Sequence, residues 1–180
     1  MITGIEILLI YVSRVGIGIK NILKMIIKLN KQELIHAGIT GLFRYIESQL
    51  SGRTPYFKEK YSGEQLGYGV MGAFAEVAVA KALKTYYDYS VNTFHVSDIP
   101  DQNIEVRYSK TPYCKVREDD NSINVVSVTG NIPEFEIRGY IYSEDAKLPH
   151  YSKDFNNVGR PAYFVPSSHL KPIEQLIKKG

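Results

Sequence analysis

Residues 98–109, DIPDQNIEVRYS, decide the fold, because they set a clean strand alternation carrying acids downstream of an alanine-rich helical stretch. Ile104, Val106 and Tyr108 alternate with Asn103, Glu105, Arg107 and Ser109, the period-two pattern of a strand. Upstream, VMGAFAEVAVAKALKT (70–85) is small and apolar, which predicts a helix slim enough to pack closely on a sheet. Around the strand, YSVNTFHV (89–96), YCKVRE (113–118), INVVSVTG (123–130), PEFEIRGYIY (133–142) and PAYFVP (161–166) read as further strands, with a turn at DDNS. The expectation is an α+β domain with a mixed central sheet and flanking helices.

Two more helices frame this core. Asn30 and Glu33 have capping-box spacing, and Leu34, Ile35, Leu42, Phe43, Ile46 and Leu50 recur on one helical face, predicting a helix over 31–50. SSHLKPIEQLIKKG (167–180) reads as a closing helix. Between the first two helices, SGRTPYFKEKYSGEQLGYG (51–69) lacks an apolar period and reads as a long loop. At 180 residues the chain suits one buried core. Residues 1–24 read as an extension and 25–180 as the domain. The apolar run Ile7–Val12 is too short to span a bilayer, and Glu6 before it and Arg14 after it do not suit a signal peptide, so no stable membrane association is expected.

Composition narrows the chemistry. A single cysteine, Cys114, excludes an intramolecular disulfide and a cysteine-rich zinc cluster, and suits a reducing, cytoplasmic setting. The four histidines, His36, His95, His150 and His169, are scattered, and no Walker, G-x-S-x-G or H-E-x-x-H motif occurs. GYGVMG (67–72) matches G-x-G-x-x-G, but no hydrophobic strand feeds it, so it reads as a flexible entry to the helix. A net charge of +3 permits a polyanionic partner without requiring one.

The strand itself carries candidate chemistry. Asp98 lies seven residues before Glu105, and Glu76 stands inside an otherwise apolar helix. A lone buried carboxylate needs a partner, so Glu76 belongs either to a cation site or to an ion pair with Lys81 or another nearby base. Hard oxygens from Asp and Glu, beside a cationic residue, are what Mg²⁺-assisted phosphodiester hydrolysis uses. For substrate contact, Arg53, Lys58 and Lys60 alternate with Tyr56, Phe57 and Tyr61 in the long loop, a cation-and-ring pattern that fits DNA, and Arg117 extends it. The bland reading of that loop is an ordinary solvated surface.

The order of helix acid, Asp98 and Glu105-Val106-Arg107 resembles the PD-(D/E)XK, restriction-endonuclease-like nucleases, particularly their small Holliday-junction-resolvase-like members. It also resembles a set of phage-type proteins through GAFAEVAVAKAL, SVNTFHVSDI and GRPAYFVP. The resemblance implies a restriction-endonuclease-like core with an acid-bearing helix before a three-stranded meander. It implies Mg²⁺ or Mn²⁺ held by Glu76, Asp98, Glu105 and the Val106 carbonyl, and a setting in the host cytoplasm if the chain is phage-encoded. This sequence departs from the family in placing Arg107 where a lysine is usual. Arginine stays protonated and cannot act as a general base, but it can stabilise phosphate charge. Water activation would then fall to the metal or to Lys115, expected on a neighbouring strand. The expected function is a metal-dependent DNA endonuclease, with branched, single-stranded and duplex DNA all open as targets; a two-fold homodimer would suit junction-like DNA. The competing function is a non-catalytic nucleic-acid-binding or phage-accessory protein on the same scaffold.

Overall fold

The computed structural model describes residues 7–10, 24–51, 62–91, 96–154 and 161–177. Its elements are β1 (Ile7–Ile10), β2 (Lys24–Lys28), α1 (Lys31–Leu50), α2 (Ser62–Ala82), β3 (Ile104–Tyr108), β4 (Tyr113–Arg117), β5 (Asn124–Asn131), β6 (Glu134–Tyr142), the single turn α3 (Ser143–Ala146), β7 (Ser152–Lys153) and β8 (Ala162–Pro166). A five-stranded sheet runs β1-β2-β6-β5-β3, and a three-stranded sheet runs β4-β8-β7. β3 and β5 are parallel and every other pair is antiparallel. The protein is therefore α+β with a mixed sheet and flanking helices.

Burial sets the layering. From Ala73 to Ala80 every residue of α2 is buried, the signature of a helix covered on all sides. One side of α2 meets Ile104, Val106, Val126, Val128, Phe135 and Ile137 of the larger sheet. The other meets α1, whose inward residues are the small Ala37, Thr40 and Gly41. A Cβ on Gly41 would sit 2.6 Å from the Val70 Cα, so glycine is what lets the two helix backbones approach this closely. On the far face of the larger sheet, a second core of Cys114, Val116, Val125, Ile141, Ala146 and Val165 joins it to the smaller one.

The first helix forms as predicted. Asn30 Oδ1 accepts the Glu33 N–H (2.9 Å) and Glu33 Oε2 accepts the Asn30 N–H (2.6 Å). Leu34 packs against the core, but most of the helix's large apolar residues face outward, with Phe43 52 % and Leu50 82 % exposed, because the inward face is chosen by fit to α2. Three other expectations are corrected. α2 starts at Ser62, so Gly67–Gly72 lies inside the helix, with Gly69 beside the Gly41 carbonyl of α1 and Gly67 and Gly72 bordering open space. The described part of 89–96 forms no strand: Tyr89 has φ +53°, a left-handed conformation that breaks extended pairing. The C-terminal segment is not an α-helix but two 3₁₀ turns, Ser167–His169 and Ile173–Gln175. Between them Lys171 exchanges main-chain hydrogen bonds with Tyr140 (both 2.8 Å), and Gly139, at φ +128°, makes room for the Lys171 carbonyl.

Candidate functional site

Among the described residues, β3 is the outermost strand of the larger sheet, with no described strand beside its outer edge. The 3₁₀ turn Pro100–Gln102 folds the preceding chain back along that edge. Ile99 and Ile104 exchange both main-chain hydrogen bonds (3.0 and 3.3 Å). Two residues on, the Val106 N–H donates to Asp98 Oδ2 at 2.7 Å. Because the N–H and C=O of one extended residue leave a strand on the same side, the Val106 carbonyl faces the edge where Asp98 is held.

Three carboxylates gather here from three parts of the chain. Burial pushes the Asp98 carboxyl well above the usual range, and the negative charges of Glu76 and Glu105 push it further. The Val106 N–H and the Arg107 guanidinium pull the other way. Glu76, 6 % exposed on α2, is also raised by burial, opposed by Arg44. Arg44 of α1 donates through Nη1 to both Glu76 oxygens (2.7 Å each), through Nη2 to the Tyr87 hydroxyl (3.1 Å) and through Nε to the Ser90 carbonyl (3.0 Å). The Tyr87 hydroxyl in turn donates to Glu76. Burial and the Glu76 charge together hold the Tyr87 phenol far above its ordinary value.

Glu105 pairs with Arg107, whose Nη2 also holds both Asp120 oxygens (2.8 and 3.0 Å). Asp120 is fixed from its other side by the Arg117 N–H (2.8 Å). Among the described residues, the buried Arg107 Nε makes no hydrogen bond. The expected partner of Glu76, Lys81, is engaged elsewhere: it binds Glu33 Oε2 and the Lys28 carbonyl, both at 2.9 Å.

Asp98 thus lies within electrostatic reach of Glu76, Glu105 and Arg107 and is bonded to the Val106 N–H. Lys115 and Arg117 do not sit on a strand adjoining β3 in its sheet. They belong to β4 of the smaller sheet, where burial and the charges of Arg117 and Arg107 lower the Lys115 ammonium's pKa. Arg53, Lys58 and Lys60 lie outside the described residues. As the side chains stand, no three His, Cys, Asp or Glu among the described residues form a ready-made ligand set for one ion.

The partners that sequence reading missed are Arg44, Tyr87 and Asp120. Arg44 had a usable signal, since it continues the Ala37, Thr40, Gly41 stripe at helical spacing. Asp120 had none beyond its place in a turn. No helix among the described residues is long and apolar enough to cross a membrane. Compared with known proteins, the chain matches no family model, no curated protein and no solved structure.

Proposed function

We propose that this protein is a metal-dependent nuclease that hydrolyses DNA phosphodiester bonds, with branched DNA among its substrates. The observation that carries the reading is Asp98, held by the Val106 N–H on the outer edge of β3 while the charges of Glu76 and Glu105 press on it. Carboxylates crowded in a buried place repel one another, and a hard divalent cation is the partner that relieves this. Asp98, Glu105, the Val106 carbonyl and Glu76 are the groups that would hold Mg²⁺ or Mn²⁺. When bound, such an ion supplies Lewis acidity toward a phosphoryl oxygen and a water of lowered pKa.

The chain's own residues supply the rest. Arg107 stays cationic, braced by Glu105 and Asp120, and offers its guanidinium to charge developing on phosphate. Lys115, on β4 of the smaller sheet and lowered in pKa by burial first and then by Arg117 and Arg107, is the candidate for taking a proton from water if the metal does not activate it alone. Arg44 and Tyr87 orient Glu76 without facing substrate. A two-fold dimer for junction-like DNA and a cytoplasmic setting for the single, buried Cys114 belong to the same proposal.

A second reading is favoured by one observation: Glu76 and Glu105 already have guanidinium partners, as they would in a scaffold that binds nucleic acid without cleaving it. The deciding experiment is cleavage of labelled branched, single-stranded and duplex DNA with Mg²⁺ or Mn²⁺, by wild type, Asp98→Asn and Glu105→Gln. Cleavage that both substitutions abolish in folded protein supports the nuclease. Inactivity of all three, with DNA affinity unchanged by Glu105→Gln, supports the binding protein.

A further inference from the structure

The outer face of α1 takes no part in the carboxylate site. Ile35, Ile39, Leu42, Phe43, Ile46 and Leu50 are each between 40 and 82 % exposed. At about 3.6 residues per turn they form one stripe, opposite the Ala37, Thr40 and Gly41 that turn to α2. Among the described elements, α1 packs extensively only on α2. The stripe also carries no charge. Of the four charged side chains of α1, Glu33 is held by Lys81 and Arg44 by Glu76, while Lys31 and Glu47 stand in the first and last turns.

That composition selects the occupant. With no cation in the stripe, phosphate or an acidic peptide finds no counter-charge there. A helix lying in a membrane surface carries Lys and Arg on its opposite face, whereas here that face is packed on α2. An apolar stripe on a partner does fit, and the spacing points to a copy of the same helix. Along the chain the six residues are separated by steps of four, three, one, three and four, which read the same in both directions. An antiparallel copy therefore sets Ile35 beside Leu50, Ile39 beside Ile46 and Leu42 beside Phe43, each contact occurring twice about a two-fold axis. Antiparallel packing also brings opposite ends of the helix dipoles together. At roughly 200 Å² for a whole residue of this size, the exposed fractions amount to on the order of 600 Å² per copy, or about 1,200 Å² for the pair. That reaches the lower bound of stable interfaces and the upper end of what a monomer leaves open.

We infer that α1 is a homodimer interface, in which two copies of this chain pair antiparallel through the stripe from Ile35 to Leu50. It gives the two-fold dimer proposed above for junction-like DNA its contact surface, but rests on α1 alone and needs neither metal nor nucleic acid.

The test is sedimentation equilibrium of the full chain in EDTA without nucleic acid. The samples are wild type, Ile39→Glu, Ile46→Lys and an equimolar mixture of the two variants, each checked for folding by circular dichroism. Glutamate and lysine are good helix formers, so at exposed positions they leave the monomer's fold intact. Wild type is expected to sediment as two chains. Each variant alone puts two unpaired charges into the seam and is expected to weaken dimerisation about 30- to 1,000-fold, the range for losing an interface anchor. The mixture is expected to regain the dimer, because the register sets position 39 of one chain beside position 46 of the other. A mixture that associates no better than the separate variants overturns the antiparallel register, and a dimer that neither substitution weakens overturns the interface. A wild type that is monomeric at every concentration overturns the dimer, and Ile39→Glu then identifies the occupant. A lowered melting temperature assigns the face to another part of this chain, and lost sedimentation with phosphatidylglycerol vesicles assigns it to a lipid surface. A dimer that cleaves nothing keeps the interface and removes the nuclease, while a monomer that cleaves DNA does the reverse.

Discussion

Replacing Arg44 with methionine isolates what holds Glu76 in place. The substitution keeps the apolar stem but removes four donor contacts: two to Glu76, one to the Tyr87 hydroxyl and one to the Ser90 carbonyl. Among the described residues, Glu76 then keeps only the Tyr87 hydroxyl, at 6 % exposure. Stripping one partner from a buried pair costs about 3 to 5 kcal/mol, because the remaining charge is left desolvated. For a domain of this size that is a fall in melting temperature of roughly 6 to 20 °C. The loss depends on pH in a defined direction. Burial already raises the Glu76 carboxyl, and without Arg44 nothing of opposite charge restrains it. The folded state then binds a proton that the unfolded state releases above the ordinary carboxylate range, so stability falls as pH rises. Urea denaturation followed by circular dichroism at pH 5 and pH 8 should show the larger deficit at pH 8. Arg44→Met/Glu76→Leu should recover most of it, since no charge is then left buried. A deficit below about 1 kcal/mol at both pH values would refute the reasoning.

Four further outcomes follow from the structure. Gly41→Ala drives a Cβ to 2.6 Å from the Val70 Cα, so overpacking should outweigh the gain in helix propensity and destabilise by about 2 kcal/mol in chemical denaturation. Gly38→Ala meets only the Phe74 ring at 3.7 Å and should stabilise by about 0.5 to 1 kcal/mol in the same assay. Cys114 is fully buried, with its thiol pushed up to about 12, so a thiol-specific disulfide reagent at pH 8 should leave native protein unlabelled and react once in urea. Asp98→Asn keeps an acceptor for the Val106 N–H but removes the charge that burial, Glu76 and Glu105 disfavour. Without divalent cation its melting temperature should exceed wild type at pH 8, the gain shrinking as pH falls toward 4. Mg²⁺ or Mn²⁺ should raise the wild-type value and leave that of Asp98→Asn unchanged.

What the sequence revealed of this fold was what local pattern encodes. Alternation at 104–108 and the capping box at Asn30 and Glu33 act within a few residues, and both appear where expected. The orientation of α1 was not local. Its apolar stripe predicts an inward face, yet the packed face is Ala37, Thr40 and Gly41, because α2 accepts only a close backbone there. The start of α2 was hidden as well, because its glycines and polar residues from Ser62 onward carry no apolar period. The site was legible as an order of acids along the chain, but not as a set of ion pairs. Arg44 is 32 residues from Glu76, and Asp120 is 13 from Arg107. Nothing in the local pattern couples positions that far apart.

Those ion pairs sharpen the choice between cleaving and merely binding. Glu76, Asp98, Glu105 and Asp120 face the guanidiniums of Arg44 and Arg107, so when all are ionised two negative charges are left over. In water this excess is of little consequence; in a largely buried cluster it must be discharged by protonation or by a counter-ion. One of the two falls on Asp98, because it is the one of Glu76, Asp98 and Glu105 whose partner is a neutral N–H, and the other falls on the pair Glu105 and Asp120, which share Arg107. A scaffold that only binds nucleic acid gains nothing from keeping the charge on Asp98, and an asparagine would hold the Val106 N–H equally well. A site for one divalent cation needs it, since one such ion balances the two charges and takes up its oxygens where the proton would otherwise sit. Calorimetric titration of Mn²⁺ at pH 8 should therefore give one site per chain in wild type and none in Asp98→Asn, with protons released on binding. Equal heats from the two proteins would mean that the excess is met by protonation alone, and the edge of β3 would then be scaffold.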